Sequence, residues 1–500
     1  MSLNPISNAG QQAAIQSLQK AANLADISME RLATGLRVNS SKDDPAAISV
    51  SSRLLAEIKG IEQGLFNISK MQTALSISDQ TNASIENDLQ AIRELALQSA
   101  NSTKDAHDRS MLQVEVASRK ANADALAQNA AFNKIKLTDG TFINKVVQLT
   151  GSSNNQISVS VSSSRSSSIG EFYLLGSPHL KAGASGSTAI SDVTSQTVVI
   201  AGKGSSTIDI SSGSSAKTVA SSINLALTTT GVAGISSTKI KLDNLSNLAS
   251  GKAINFKIGT TTISNSIVTP SNLSNLMVNI NAQTNTTGVT AQLGSSNGEL
   301  ILSNSDGSDI LIDDFISTNT ADSTVTLDVT SIDARTGSEV GSAVSIADTV
   351  SGGSHQTTID SVIAVGQVEL TSNKSFSITG HDATATKLLQ NNTVNTSFID
   401  SVDISTQVGA SNTVKTIDAA ILTVNEIRAN LGAYINRLSS SANHLTDIKI
   451  PKTKAYNQII DADFAKEMLN LTKAQIIQNS AAAMLAQANS NAISMTKALL

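Results

Sequence analysis

"SAAAMLAQANSNAISMTKALL", residues 480–500, is rich in alanine and carries one charge, Lys497. Its apolar residues Ala481, Leu485, Ala488, Ala492, Met495 and Leu499 are spaced by four and three in turn. That is the repeat of a helix lying along a narrow seam against another helix. A matching row stands at the other end of the chain: Ile15, Leu18, Ala22, Ala25, Met29, Leu32 and Leu36. An amphipathic helix packed inside its own domain would show the same period. The polar face decides between them. From Met1 to Ala25 the only charge is Lys20, and the polar positions are Asn, Gln and Ser, which suits a helix ringed by other helices rather than washed by water. The two ends are predicted to pair as a coiled coil.

Inward from the first end, "GLRVNSSKDD" leads to Pro45, with Asp44 placed to cap a new helix that starts on proline. Leu54, Ile58, Ile61, Leu65, Ile68, Met71 and Leu75 keep one stripe, and Ile85, Leu89, Ile92 and Ala96 continue it. "NSTKDAHD" breaks the pattern, and a further helix is predicted from Ala106 to Asn129. From Phe132 the period becomes two: "LTDGTF" reads as a tight turn, and Ile157, Val159 and Val161 alternate with serines, as in a hairpin. Helical pattern returns at "TIDAAILTVNEIRANLGAYINRL". A last helix is expected near Asp461, with Pro451 breaking or kinking the chain between them.

Residues 162–399 are rich in Ser, Thr, Asn and Gly, but short alternations such as "TIDI", "KIKL", "ELIL", "ILI" and "VEL" recur. Recurrent strands argue for a folded β-rich insert over a disordered linker. "INLALTTTGV" begins at Ile223 and "INAQTNTTGV" at Ile280, 57 residues later. Duplicated β modules are expected, with a degenerate third copy from "SIADTVSGG" to "VELTS". The fold class is thus α+β and multidomain: paired terminal helices, a long antiparallel helical bundle with a β-hairpin, and a β-rich insert with an internal repeat.

Several function classes are excluded by composition. With no cysteine and five well-separated histidines among 500 residues, no metal-binding or thiolate motif can be written. "GKGSST" at Gly202 lacks the spacing of a phosphate loop, and "NSDGSD" at Asn304 reads as an Asp-Gly turn rather than a calcium loop. No catalytic residues, metal or cofactor are assigned, and no enzyme is expected. A net charge of −5 with mixed signs offers no footprint for nucleic acid. The longest apolar run of the last segment, Ala481 to Ala486, is too short for membrane insertion. The start, with no positive residue before Lys20, is unlike a secretory signal.

"ISMERLATGLRVNSSKDDPAA", "LQAIRELALQSANST", "FNKIKLTDGTF", the "TIDAAILTVNEIRANLGAYINRL" block and "IDADFAKEMLNLTKAQIIQNSAAAMLAQAN" together resemble bacterial flagellin, in order and at both ends. The resemblance implies a structural subunit of a helical flagellar filament that serves motility and is exported without a cleaved leader. It divides the chain into an inner-core helix and linker (1–44), a helical shell with hairpin (45–161), a variable outer insert (162–401), the returning shell (402–448), and a linker with the second core helix (449–500). Implied partners are other copies of the chain, an export chaperone, the filament cap and the hook-filament junction proteins. "DDPA" also occurs in junction proteins, which keeps that alternative open. An adhesin, or a filament displaying O-linked glycans on the insert, is the other alternative. The family's contact block for the animal Toll-like receptor for flagellin aligns with Leu89, Gln90, Arg93, Leu95, Gln98 and Glu115. Ala91 stands where strongly detected flagellins carry arginine, so subunit packing is the preferred reading of this surface.

Overall fold

The computed structural model describes residues 8–151, 154–357, 359–380, 388–389 and 393–499. Among them the helices are α1 Asn8–Thr34, α2 Pro45–Ser99, α3 Ala106–Asn129, α4 Ala216–Leu225, α5 Leu227–Thr230, α6 Ser274–Ala282, α7 Thr284–Thr287, α8 Gln407–Ile460 and α9 Phe464–Leu499. The chain divides into two compact units. One comprises residues up to 76, 143–160 and from 432 onward, and the other residues 77–142 and 161–431.

In the first unit α1 runs antiparallel to α9, with Gln11 bonded to Asn489 near one end and Arg31 to Glu467 near the other. Gly35, at φ +73°, closes α1 in the left-handed conformation that glycine adopts without penalty. Leu36 therefore lies past the helix end and forms a one-residue bridge with Asp461, so the expected seam stops one position short. Asp44 caps α2 as its sequence predicts: Oδ1 accepts from the Ala47 amide at 2.9 Å, and Pro45 opens the helix. Strands Lys145–Gln148 and Gln156–Val159 form the hairpin, which buries Val147, Ile157 and Val159. Pro451 does not break the chain. It sits inside α8, which continues to Ile460, and the real break is at Asp461–Asp463, where Asp463 Oδ1 takes the Ala465 and Lys466 amides. Ion pairs Lys449–Glu62 and Lys452–Glu57 tie α8 to α2 on both sides of the proline.

In the second unit Ile85, Leu89, Ile92 and Ala96 of α2 meet Val116, Ala123 and Ala127 of α3 and Ile417, Ala420 and Val424 of α8. Residue numbers rise on α2 as they fall on α8 in the pairs Glu86–Arg428 and Arg93–Asp418, so the bundle is antiparallel. "LTDGTF" is a tight turn in which Asp139 Oδ1 accepts from the Thr141 amide at 3.0 Å. It does not join a hairpin. The paired strands before it are Ala131–Phe132 and Ile135–Lys136, turned by Asn133 and Lys134 at positive φ.

The insert is built from antiparallel sheets over two cores, one around Phe256 and Phe315, the other around Ile200, Ile223 and Leu370. Both copies of the repeat form the same unit: a hairpin (Gln196–Ala201 with Ser205–Ile210; Ala253–Ile258 with Thr261–Ile267), then α4–α5 or α6–α7, then a strand. The repeated Gly is the left-handed cap of the short helix, at φ +70° for Gly231 and +71° for Gly288. The repeated Asn bridges to the strand that follows. Asn224 bonds both the amide and carbonyl of Gly234 at 2.8 Å, and Asn281 those of Ala291 at 2.8 and 2.9 Å. The expected third copy is not one: "SIADTVSGG" lies on the long strand Glu339–Ser351, which turns at Gly352–Gly353, and no helix precedes it.

Candidate self-assembly surface

The facing rows of α1 and α9 are Ala14, Leu18, Ala21, Ala25, Ser28 and Leu32 against Glu467, Leu471, Ala474, Gln478, Ala481, Leu485 and Ala488, all buried or half-buried. Both rows step by three and four, as a coiled-coil seam requires. On α9 the predicted Ala481, Leu485 and Ala488 hold, while the side chains of Ala492, Met495 and Leu499 lie outside the described residues. On α1, Leu18, Ala25 and Leu32 hold, but Ala14, Ala21 and Ser28 replace Ile15, Ala22 and Met29. Ile15 and Met29 are 43% and 48% exposed, and Ala22 is only half-buried on the flank.

The reason for this shift at alternate positions, a turn of the seam by about 50° at about 100° per residue, is polar. Glu467 is 6% exposed and so must be satisfied internally. Arg31 Nη1 donates to its Oε1 at 3.0 Å and Ser28 Oγ to its Oε2 at 3.1 Å, with Asn470 at 3.4 Å. Turning Ser28 inward carries Ile15 and Met29 to the side. Small residues at 14, 21 and 25 then face Ala474 and Ala481, letting the backbones approach. The signal for Glu467 was in the sequence: the four-three spacing extended back from Ala481 reaches Gln478, Ala474, Leu471 and Glu467.

Burial pushes the Glu467 carboxyl up, but hydrogen bonds from Arg31, Asn470 and Ser28 and the charge of Arg31 outweigh it and hold it below its usual 4.5. A depressed carboxylate adds stability above pH 4.5 that is lost as pH falls through the folded value. Glu467→Gln should therefore weaken the α1–α9 pair at neutral pH by about 1.5–3 kcal/mol, the worth of a charged hydrogen bond. It should also flatten the acid dependence of filament dissociation, read by sedimentation across pH 3–7. An unchanged acid profile would refute the assignment.

With the seam closed, large apolar side chains remain outside it: Ile15, Leu24, Ile27 and Met29 on α1, and Phe464, Met468, Leu469, Ile476, Ile477, Met484 and Ile493 on α9. So much exposed apolar surface on two helices marks an interaction face.

The second predicted surface is only partly available. Leu89 is wholly enclosed by the helical core of the second unit and cannot touch a partner. It belongs to the apolar stripe, which the sequence also showed. Leu95 packs against the same core. Gln90 and Gln98 are exposed, Arg93 pairs with Asp418 at 2.6 Å, and Glu115 pairs with Arg119 at 2.8 Å. Ala91 is half-buried.

Comparison with known proteins agrees with this geometry. Residues 6–143 match the bacterial flagellin N-terminal helical region, and residues 414–499 the C-terminal helical region. The chain is 32% identical to the B-type flagellin of Pseudomonas aeruginosa over 95% of each protein. It belongs to the bacterial flagellin family. Identity is 26% to the flagellins of Aquifex pyrophilus and Salmonella rubislaw, each over 94% of both chains. Among solved structures, FliC from Burkholderia pseudomallei is 17% identical over 73% of this chain and 99% of its own, with a TM-score of 0.28. FlgL from Xanthomonas campestris is 14% identical over 81% and 99%, with a TM-score of 0.31. Scores this low decide nothing between filament and junction protein; the near full-length flagellin relatives do. The flagellin is a structural subunit that polymerises into the bacterial flagellar filament, and flagellins are a family of structural proteins. Among the described residues no helix is long and apolar enough to cross a membrane, and no cluster of three or more His, Asp or Glu could hold a metal ion.

Proposed function

We propose that α1 and α9 form the inner core of the filament, with residues 45–161 and 402–448 as the shell around it and residues 162–401 projecting outward. The apolar side chains left exposed beside a closed seam carry this reading: Ile15 and Met29 on one helix and Ile476 and Met484 on the other already have their own chain's partner helix and still face solvent. Each such side chain is worth about 1.5–3 kcal/mol when removed from water. Contacts of this kind between unlike faces propagate as an open helix of subunits rather than closing into a ring.

In the free subunit these helices gain little from propensity alone, since most helical stability comes from packing an apolar face against a partner. Ordering on assembly is therefore part of the proposal, as is contact with the export chaperone, filament cap and hook-filament junction proteins. For the Toll-like receptor surface, subunit packing is preferred: Leu89 is buried and Ala91 offers no guanidinium. Purified subunit added to sheared filament fragments should lengthen them under the electron microscope. Monomers with protease-resistant ends that leave the fragments unextended would sink the proposal.

A further inference from the structure

The loop at residues 333–338 joins strands Ser323–Ile332 and Glu339–Ser351. Asp333 Oδ1 accepts from the amides of Arg335 at 2.8 Å and Thr336 at 2.7 Å, and Gly337, at φ +73°, completes the turn. The turn aims Arg335 inward, where it is only 5% exposed. Its Nη2 donates to Glu171 Oε2 at 2.8 Å and its Nη1 to Glu369 Oε1, and its guanidinium lies 3.5 Å from the centre of the Tyr173 ring. Gln367 holds the turn from one side, accepting from the Ala334 amide at 2.8 Å and donating to Asp333 Oδ2 at 2.9 Å. Helix α8 holds it from the other. Asn412 Nδ2 donates to the Arg335 carbonyl at 2.6 Å, and Lys415 pairs with Glu369 Oε2.

The charge balance of this cluster depends on α8. Glu171 and Glu369 carry two negative charges and Arg335 one positive, and Lys415 supplies the other. At the border Lys239, within 3.5 Å of the Ala334 carbonyl, and Asp333 offset each other. Without Lys415 the insert would hold two buried carboxylates on one guanidinium, and an uncompensated buried charge is strongly destabilising. Burial accordingly pushes the Glu171 carboxyl up and the Lys239 amine down from their usual values.

We propose that the turn at residues 333–338 is a clasp completed by α8, so that the β-rich insert and the helical bundle containing the start of α8 fold as one cooperative body. The insert then braces the shell helix as well as decorating it. Nothing in this depends on how subunits meet in the filament.

Calorimetry of the full-length monomer tests it. The wild type should melt the insert and the bundle in one transition. Arg335→Met, which keeps bulk and removes charge, should split this into two. Lys415→Gln should lower the midpoint by several degrees more than Lys374→Gln, which removes the exposed Lys374–Glu426 pair. The double variant Lys415→Gln with Glu369→Gln, balanced again, should recover much of that loss. Separate wild-type transitions, a single transition in Arg335→Met, or equal effects of Lys415→Gln and Lys374→Gln would overturn the clasp. Should Arg335→Met fail to fold, the lysine comparison decides: an extra loss recovered in the double variant supports the clasp, and anything else overturns it.

Discussion

Ile476→Asp should abolish filament growth while leaving the α1–α9 seam intact. Ile476 is 61% exposed, outside the row that faces α1, so within one subunit the aspartate stays in water and costs little. In the filament the same position is proposed to be covered by neighbouring copies. There the change removes about 1.5–3 kcal/mol of apolar burial and adds the cost of a carboxylate moved from water without a partner, itself several kcal/mol. Each 1.4 kcal/mol is a factor of ten, so a combined loss of about 4 kcal/mol raises the concentration needed for growth roughly a thousandfold. Seed extension with dilution series reads this directly. Ala474→Asp, at a position 2% exposed within the seam, is the contrast and should also block growth. It should do so by keeping α1 and α9 from pairing as the subunit joins the filament, whereas Ile476→Asp should act on the contact between subunits. Leu485→Asp would mix the two effects, since Leu485 is half-buried against α1. Growth of Ile476→Asp at wild-type concentrations would remove this face of α9 from the assembly surface.

The sequence carried the regular parts of the fold because period and caps are local signals. The starts of α3 and α2 are set by Asp105, Asp44 and Pro45, whose side chains act within three residues of themselves. The repeated Asn and Gly of the insert modules were visible because both copies need the same cap and the same bridge to the next strand. What was hidden depends on partners far away in the chain. The seam register on α1 is set by a carboxylate more than 400 residues later, so a period of 3.5 alone could not tell Ala14 from Ile15. Pro451 sits within a helix that pairs with α2 on both sides of it, a partner that lies nearly 400 residues away. Arg335 gains its role only from the meeting of Glu171, Glu369 and α8.

Gly64→Ala should displace the hairpin of strands Lys145–Gln148 and Gln156–Val159, even though alanine is the better helix former. In α2 a Cβ on Gly64 would fall 1.7 Å from the Leu149 carbonyl oxygen and 2.5 Å from its carbon. Gly60, one turn earlier, brings its Cβ position to 3.0 Å from the Gly151 amide nitrogen. The two glycines therefore form a shallow groove in which residues 149–151 rest on bare helix backbone. Alanine gains about 1 kcal/mol of helix propensity, but backbone cannot yield as a side chain tip can. Relief requires the chain at Leu149 to retreat by more than 1 Å, which strains its bond from the Leu149 amide to the Asn155 carbonyl. Overpacking of this kind costs about 1–3 kcal/mol and more where backbone must move, so the clash should win by about 1–2 kcal/mol. Gly432 in α8 supplies the control, since a Cβ there meets nothing within 4 Å. Gly432→Ala should stabilise by up to about 1 kcal/mol through the same propensity term. Urea unfolding of the two variants should move in opposite directions. If both stabilise, the hairpin is not seated on the helix through these glycines.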